Sequence, residues 1–311
     1  MATTVSVTSS YSGEFKKDII SAAVLSASTL DQGLVEVKPN VKGKRVVKNL
    51  ALGSLLSTAT CDFTDNSSVT LTERILEVKQ MQVNLTICKA EFQDDWLAIE
   101  QGDSAHTNMP KTFVDYLLAD VAANVASELE VLIWQATTTG SVNDFDGFLK
   151  LMADDADVID VAKDAGGITA ENVVIELGKI VDAIPAQILS KEDLFLYVSP
   201  SIYQSYIRAL GGFGAAGLGA NGYNNQGSNQ AFGALVFEGV KMVSVQGMAD
   251  GEAVAARRSN LWFGTSLMAD FNETKVLDMA ELDGSQNVRI IMRMGAGVQF
   301  GIGAEIVYYH A

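Results

Sequence analysis

Cysteine, histidine and proline are scarce in this 311-residue chain, with 2, 2 and 4 of each. Cys61 and Cys88 are too few for a disulfide framework, which fits a reducing compartment. His106 and His310 lie far apart, and no HExxH, CxxC, GxSxG or P-loop pattern occurs. The N-terminus, MATTVSVTSS, lacks the basic and apolar blocks of a secretion signal. No apolar run approaches the roughly 20 residues of a membrane helix. Positive charge is also in deficit. The net charge of −16 argues against tight nucleic-acid binding by the whole surface. Hydrophobic residues make up 48% and charged residues 19%, a composition that folds rather than one that stays disordered.

What is present is unevenly spread. The segment KPNVKGKRVVK holds Lys38, Lys42, Lys44, Arg45 and Lys48 and no acid. It carries +5, which leaves −21 for the rest of a chain whose total is −16. Two readings stand: a solvated loop, or a contact arm that docks on the acidic surface of another copy. Five positive charges also suit weak contact with phosphates. The acidic run Asp154, Asp155, Asp157, Asp160 and Asp164 lacks EF-hand spacing and reads as a solvated loop rather than a cation site. Lys42 and Lys44 have the chemistry for an isopeptide bond, but nothing nearby marks an activating site. Trp96, Trp134 and Trp262 sit in apolar stretches and read as packing residues.

The most unusual stretch is GGFGAAGLGANGYNNQGSNQAFG, residues 211–233, which contains a GxGxxG match at Gly212, Gly214 and Gly217. A phosphate-cradling loop follows a buried strand and opens a helix. Here LFLYV reads as the strand, Ser199-Pro200 as a helix start, and Ile202, Tyr206 and Leu210 as one helix face. Gly211 suits the end of that helix. The glycines therefore follow a helix, and LGANGYNNQGSNQ is too rich in Gly and Asn to begin another. An exposed loop is the favoured reading.

Four zones follow from pattern. Residues 1–33 are a polar lead-in with one amphipathic stretch, FKKDIISAAVLSA, whose Phe15, Ile19, Ile20, Val24 and Leu25 fit a short helix without an evident packing partner. Residues 34–90 read as β-rich. In MQVNLTIC, Met81, Val83, Leu85 and Ile87 alternate with polar residues, and the zone suggests a long hairpin whose far end carries the basic residues away from any core. Residues 108–136 form the clearest helix, with Phe113, Leu117, Val121, Val125, Leu129 and Ile133 every fourth residue, joined by Val114, Leu118 and Leu132. Its Ala119, Ala122, Ala123 and Ala126 admit close neighbours. From 145 to about 260 helix and strand alternate. Thr169 is the expected cap of a helix that Pro185 stops, and two short strands surround Gly239. Closing strands follow, and Gly295, Gly297, Gly301 and Gly303 allow bends in them.

This order of parts resembles the Hong Kong 97-type major capsid protein of tailed phages. LFLYVSPSIYQSYIRALGG, rejoined by FGALVFEGVKMVSVQGM, is similar to that family's axial domain, with a G-x-x-V strand turn at Gly239 to Val243. SNLWFGTSL and NVRIIMRMGAGVQFGIGAEIVYY are similar to its closing peripheral strands. The resemblance implies an α+β fold divided into an arm (1–33), a hairpin and the start of a peripheral domain (34–90), a peripheral domain with a spine helix (91–144), an axial domain (145–260) and closing strands (261–311). It implies a non-enzymatic shell protein without cofactors, assembling as pentamers and hexamers around phage DNA in a virion capsid made in the host cytoplasm. Lys38, Lys42, Lys44, Arg45 and Lys48 would then make intersubunit contacts. Gly211, Gly212, Gly214, Gly217, Gly219, Asn224 and Asn225 would form the axial loop, where glycine adapts to rings of two sizes. Many members begin with a scaffolding domain. This chain starts at the arm, so a separate scaffolding protein, or none, is implied beside a portal, a decoration protein and weakly contacted DNA. An encapsulin-like shell and a small-ligand binding protein or enzyme using the glycine loop are the alternatives.

Overall fold

The computed structural model describes residues 27–41, 43–52, 69–88, 111–138, 145–164, 166–211, 235–265, 273–281 and 284–310. The amphipathic stretch before residue 27, Pro110, Trp96, Cys61 and His106 lie outside them. Helix α1 (Ser28–Asp31) and strands β1 (Glu36–Lys38), β2 (Lys44–Leu52), β3 (Val69–Glu77) and β4 (Lys79–Cys88) come first. The long helix α2 (Lys111–Gln135) follows, then α3 (Phe148–Ala153), β5 (Ile159–Ala162), α4 (Val173–Asp182), α5 (Ala186–Leu189), β6 (Leu194–Val198) and α6 (Pro200–Gly211). The chain closes with β7 (Leu235–Phe237), β8 (Val240–Ser244), β9 (Ala253–Arg257), β10 (Leu261–Thr265), β11 (Glu273–Asp278), β12 (Asn287–Phe300) and β13 (Val307–His310).

A five-stranded sheet is built around β12, the longest strand. Its order is β1-β10-β12-β11, and β4 pairs with β12 as well. Strands β3 and β4 are separated only by Val78, so one stretch of chain pairs first with β2 and then with β12. That stretch crosses β12 at Gly297, where a Cβ would lie 2.0 Å from the Glu77 carbonyl oxygen. The expected alternation in β4 holds for half-buried Met81, Val83 and Ile87, whereas Leu85 shares their parity yet is exposed.

The second sheet has six strands in the order β5-β13-β9-β6-β8-β7. Alternation along β6 splits its side chains between two cores. Leu194, Leu196 and Val198 face the layer of α4 and α6, with Val173, Leu177, Ile180, Ile202 and Tyr206. Phe195 and Tyr197 face α2 and α3, where Tyr197, Trp134 and Phe148 meet at ring separations of 5.5 and 5.3 Å. On α2 the four-residue spacing is realised: Val121, Val125, Leu129 and Ile133 are all buried. At about 1.5 Å per residue its 25 residues span about 37 Å, enough to lie along both sheets. The side chains of Phe113, Val114, Leu117, Leu118 and Ala119 lie outside the described ones.

Two local expectations are corrected. The helix after Thr169 starts at Val173, with Asn172 as its N-cap. The Asn172 side chain accepts hydrogen bonds from the Thr169 amide at 2.7 Å and hydroxyl at 3.2 Å, which fixes the turn instead of capping the helix. Gly301 and Gly303 fall after β12, in the link that carries the chain from the first sheet to β13 in the second. Ala27 and Leu30, at the end of the N-terminal zone, and Leu34 and Val35 just after it are buried in the core around α2, while Phe15, Ile19, Ile20, Val24 and Leu25 lie outside the described residues. Between β7 and β8, Glu238 and Gly239 both take positive φ, 47° and 88°. This is the two-residue hairpin geometry for which glycine is suited.

Candidate intersubunit surface

Strands β2 and β3 form a two-stranded ribbon of their own, in register from Lys44 opposite Glu77 to Leu52 opposite Val69. Its root is held to the body in two ways. Buried Leu76 packs with Val41 and Val78 against Trp262. Arg74 reaches the acidic loop: its guanidinium pairs with Asp155, its Nε donates to the Gly301 carbonyl at 3.2 Å, and it lies 4.5 Å from the Phe300 ring centre. Burial opposes ionisation of Asp155. The Asp157 amide and Arg74 outweigh it, so the carboxyl titrates below the usual carboxylate range. A group with a depressed folded pKa stabilises above its unfolded pKa and loses that contribution as pH falls through the folded value. Arg74→Leu should therefore cost about 2 kcal/mol at neutral pH. The difference from wild type should shrink below about pH 4. A denaturation series against pH checks this, and a pH-independent difference would contradict it.

The ribbon's outward ladder alternates charge and apolar surface. Lys44 pairs with Glu77 at 3.2 Å and Lys48 with Glu73 at 3.4 Å. Between them Val46 stands opposite Ile75, each 49% exposed, with Leu71 further out at 55%. Lys79 and Lys44 together hold the Glu77 carboxyl below its usual range. This corrects the expectation of a basic far end. Lys44, Arg45 and Lys48 lie toward the root, because the tight register with Glu77 starts there, and two of the three cations are answered by glutamates of the same ribbon. Arg45 is exposed. Lys38 stands apart on β1, paired with Glu36 and 5.9 Å from the Trp262 ring centre. Lys42 lies outside the described residues.

Of the glycine-loop residues only Gly211 is described, as the last residue of α6. Gly212, Gly214, Gly217, Gly219, Asn224 and Asn225 lie outside. The flanks are clear: the loop leaves helix α6 and enters strand β7 at the edge of the six-stranded sheet. This reverses the strand-to-helix setting of a phosphate loop. Three members of the acidic run have cationic or histidine partners, Asp154 with nearby Lys150, and Asp155 and Asp160 with the distant Arg74 and His310, the last at 3.3 Å. Among the described residues no three His, Cys, Asp or Glu side chains gather as a metal site would. Sequence reading missed Arg74, Val46, Leu71 and Ile75. In VTLTERILEV the signal was the alternation that sets Val69, Leu71 and Ile75 on one face with Glu73 and Glu77.

No family model and no curated protein matches the sequence. Solved structures do match it. The capsid of a native GTA particle aligns with a TM-score of 0.61 over 99% of this chain and 94% of that one, at 12% identity. A chain of the satellite phage P4 procapsid, whose structure includes the size determination protein, aligns at 0.58 over 94% and 98%, at 10% identity. A chain of Mycobacterium phage Che8 aligns at 0.53 over 99% and 94%, at 8% identity. At these identities the likeness is one of fold, and it runs nearly end to end in each case. The chain has the α+β Hong Kong 97-type fold of phage capsid chains.

Proposed function

We propose that this chain is a structural protein, the major capsid protein of a tailed double-stranded DNA phage, assembling as pentamers and hexamers into an icosahedral shell. The observation that carries the reading is the near end-to-end alignment with capsid chains, 99% of this chain and 94% of the GTA capsid chain. The ribbon supports it independently. A two-stranded hairpin is marginal alone in water, and this one exposes Val46, Leu71 and Ile75 on one face. A neighbouring copy is the partner that covers them, with Lys38, Lys42, Arg45 and the ion-paired Lys44 and Lys48 at the rim of that contact. In this reading the five-stranded sheet and α2 form the peripheral domain and the six-stranded sheet the axial domain. Residues 211–233 then sit at the ring axis, where their glycines accommodate five- and six-membered rings. The protein is not an enzyme. It works in the virion, made in the host cytoplasm, with a portal, a separate scaffolding protein and packaged DNA as partners. Electron microscopy of the purified protein tests the reading: shells or capsomer rings are expected, and a compact monomer at high concentration, with or without scaffold, would overturn it.

A further inference from the structure

Strand β4 is a sheet edge of 10 residues. Among the described residues no strand other than β12 pairs with it, so the N–H and C=O groups of alternate residues point outward from the sheet. The other outer strands of the two large sheets are short or charged. β1 and β7 have 3 residues each and β5 has 4, while β11 carries Glu273, Lys275 and Asp278. Charge and proline are the usual guards of an edge. From Gln80 to Cys88, β4 has neither.

The core face also stops unfinished at this edge. Met81, Val83, Leu85 and Ile87 stand opposite Met294, Met292, Ile290 and Val288 of β12, all four of which are buried. Their β4 partners stay partly open to solvent, Leu85 to 36%. The other face of β4 shows Gln80, Gln82, Asn84 and Thr86, all exposed and uncharged. A strand that completes this edge must bring an apolar row on one side and an uncharged polar row on the other. β4 itself has that pattern. Its one charge, Lys79, sits at one end, paired with Glu77 at 2.8 Å. Two copies laid antiparallel therefore keep their lysines at opposite ends, whereas a parallel pairing would set them side by side.

We propose that β4 docks on β4 of a second copy, antiparallel, about a two-fold axis at Asn84. Residues opposite each other in such a pair point to the same side of the sheet, so the apolar rows stay together only when residues of like parity meet. With Asn84 at the axis, Gln80 meets Cys88 of the other copy, Gln82 meets Thr86, and Val83 covers Leu85. The two Asn84 amides meet, and each carries both donors and an acceptor. Centring on Val83 instead would draw Lys79 into the apolar row opposite Ile87, at a desolvation cost. Arg289 and Arg293 stand one strand further in, opposite Thr86 and Gln82. Across the joint they are three strand spacings apart, about 14 Å, and largely screened at physiological salt. This contact uses backbone at the sheet edge and is separate from the ribbon's apolar face. It stands whether or not the two copies belong to a closed shell.

Disulfide trapping of the full-length chain, oxidised below the concentration at which it assembles, tests this. Asn84→Cys in a Cys61→Ser, Cys88→Ser background should give a covalent dimer as the main product. Gln80→Cys with Cys61→Ser and the native Cys88 should do the same. Cys61→Ser alone should not, because the proposed register holds the two copies of Cys88 about 27 Å apart. Absence of both dimers, or equal trapping through Cys88 alone, overturns the proposal. Leu85→Lys is the second readout. At a partly exposed site the lysine stem packs and its ammonium reaches water in the single subunit, but a paired strand would cover it. Sedimentation should place the dimerisation midpoint at a concentration at least about tenfold higher, with the denaturant midpoint of the subunit unchanged. An unmoved dimerisation midpoint would count against the pairing. Closed shells in the microscope without trapping would remove this contact alone and leave the proposed function standing.

Discussion

Gly297→Val should destabilise the subunit by about 3 kcal/mol or more. Valine favours strands, so propensity alone predicts a gain at this position in β12. Packing decides the other way. The new Cβ would stand 2.0 Å from the Glu77 carbonyl oxygen and 3.2 Å from the Val78 Cα. These are backbone atoms of the stretch that joins the ribbon to the five-stranded sheet, so no rotamer change relieves the clash. Either β12 or the β3–β4 crossing must shift, and the Arg74 anchor shifts with it. The expected result is a large fall in the denaturant midpoint or a chain recovered only as insoluble protein. Gly178→Ala is the control. Nothing lies within 4 Å of the Cβ it would add, and it sits inside helix α4. It should be neutral or stabilise by up to about 1 kcal/mol. Equal midpoints for wild type and Gly297→Val would show that the crossing is not where the structure places it.

The double substitution Val46→Thr, Ile75→Thr should leave the subunit folded and raise the concentration needed for assembly at least about tenfold. Both side chains are half exposed in the single subunit, so little burial is lost on substitution. Threonine keeps the β-branched preference for strands. If a neighbouring copy covers this face, each contact loses roughly a methylene or two of apolar burial per site, about 1.5–2 kcal/mol together. At 1.4 kcal/mol per factor of ten, that weakens each contact by more than an order of magnitude. Charge reversal at Lys44 and Lys48 is a poorer probe. It would set glutamates against Glu77 and Glu73 at ion-pair distance and disturb the ribbon itself. Light scattering against protein concentration reads the effect, and an unchanged threshold would remove the ribbon's apolar face from the account.

The parts legible from sequence were those set by local rules. Helix α2 announced itself through a four-residue apolar period, and the β7–β8 turn through Gly239 between two short apolar runs. Strand β6, Ser199-Pro200 and α6 read correctly because a helix start signal follows a short apolar run. Non-local partners were not legible. Register across the ribbon is a pairing between segments about thirty residues apart in sequence, so the pairing of Lys44 with Glu77 could not be read from the basic run alone. Arg74 looked like one charge in a mixed strand, because Asp155, Gly301 and Phe300 come from distant segments. Gly297 looked like a bend, whereas its missing side chain makes room for another strand. The strap at 27–35 was too short to show a period, and its burial depends on Glu130 and Trp134, roughly a hundred positions away.

The most direct measurement is a three-dimensional electron cryomicroscopy reconstruction of the purified full-length protein, assembled alone or with a scaffolding protein. The account predicts closed shells of five- and six-membered rings, with residues 211–233 of each copy meeting at the ring axes and the Val46–Ile75 face of the ribbon buried on an adjacent copy. A protein that stays monomeric at every concentration, or particles in which that face remains open to solvent and the glycine loop lies away from the axes, would contradict it.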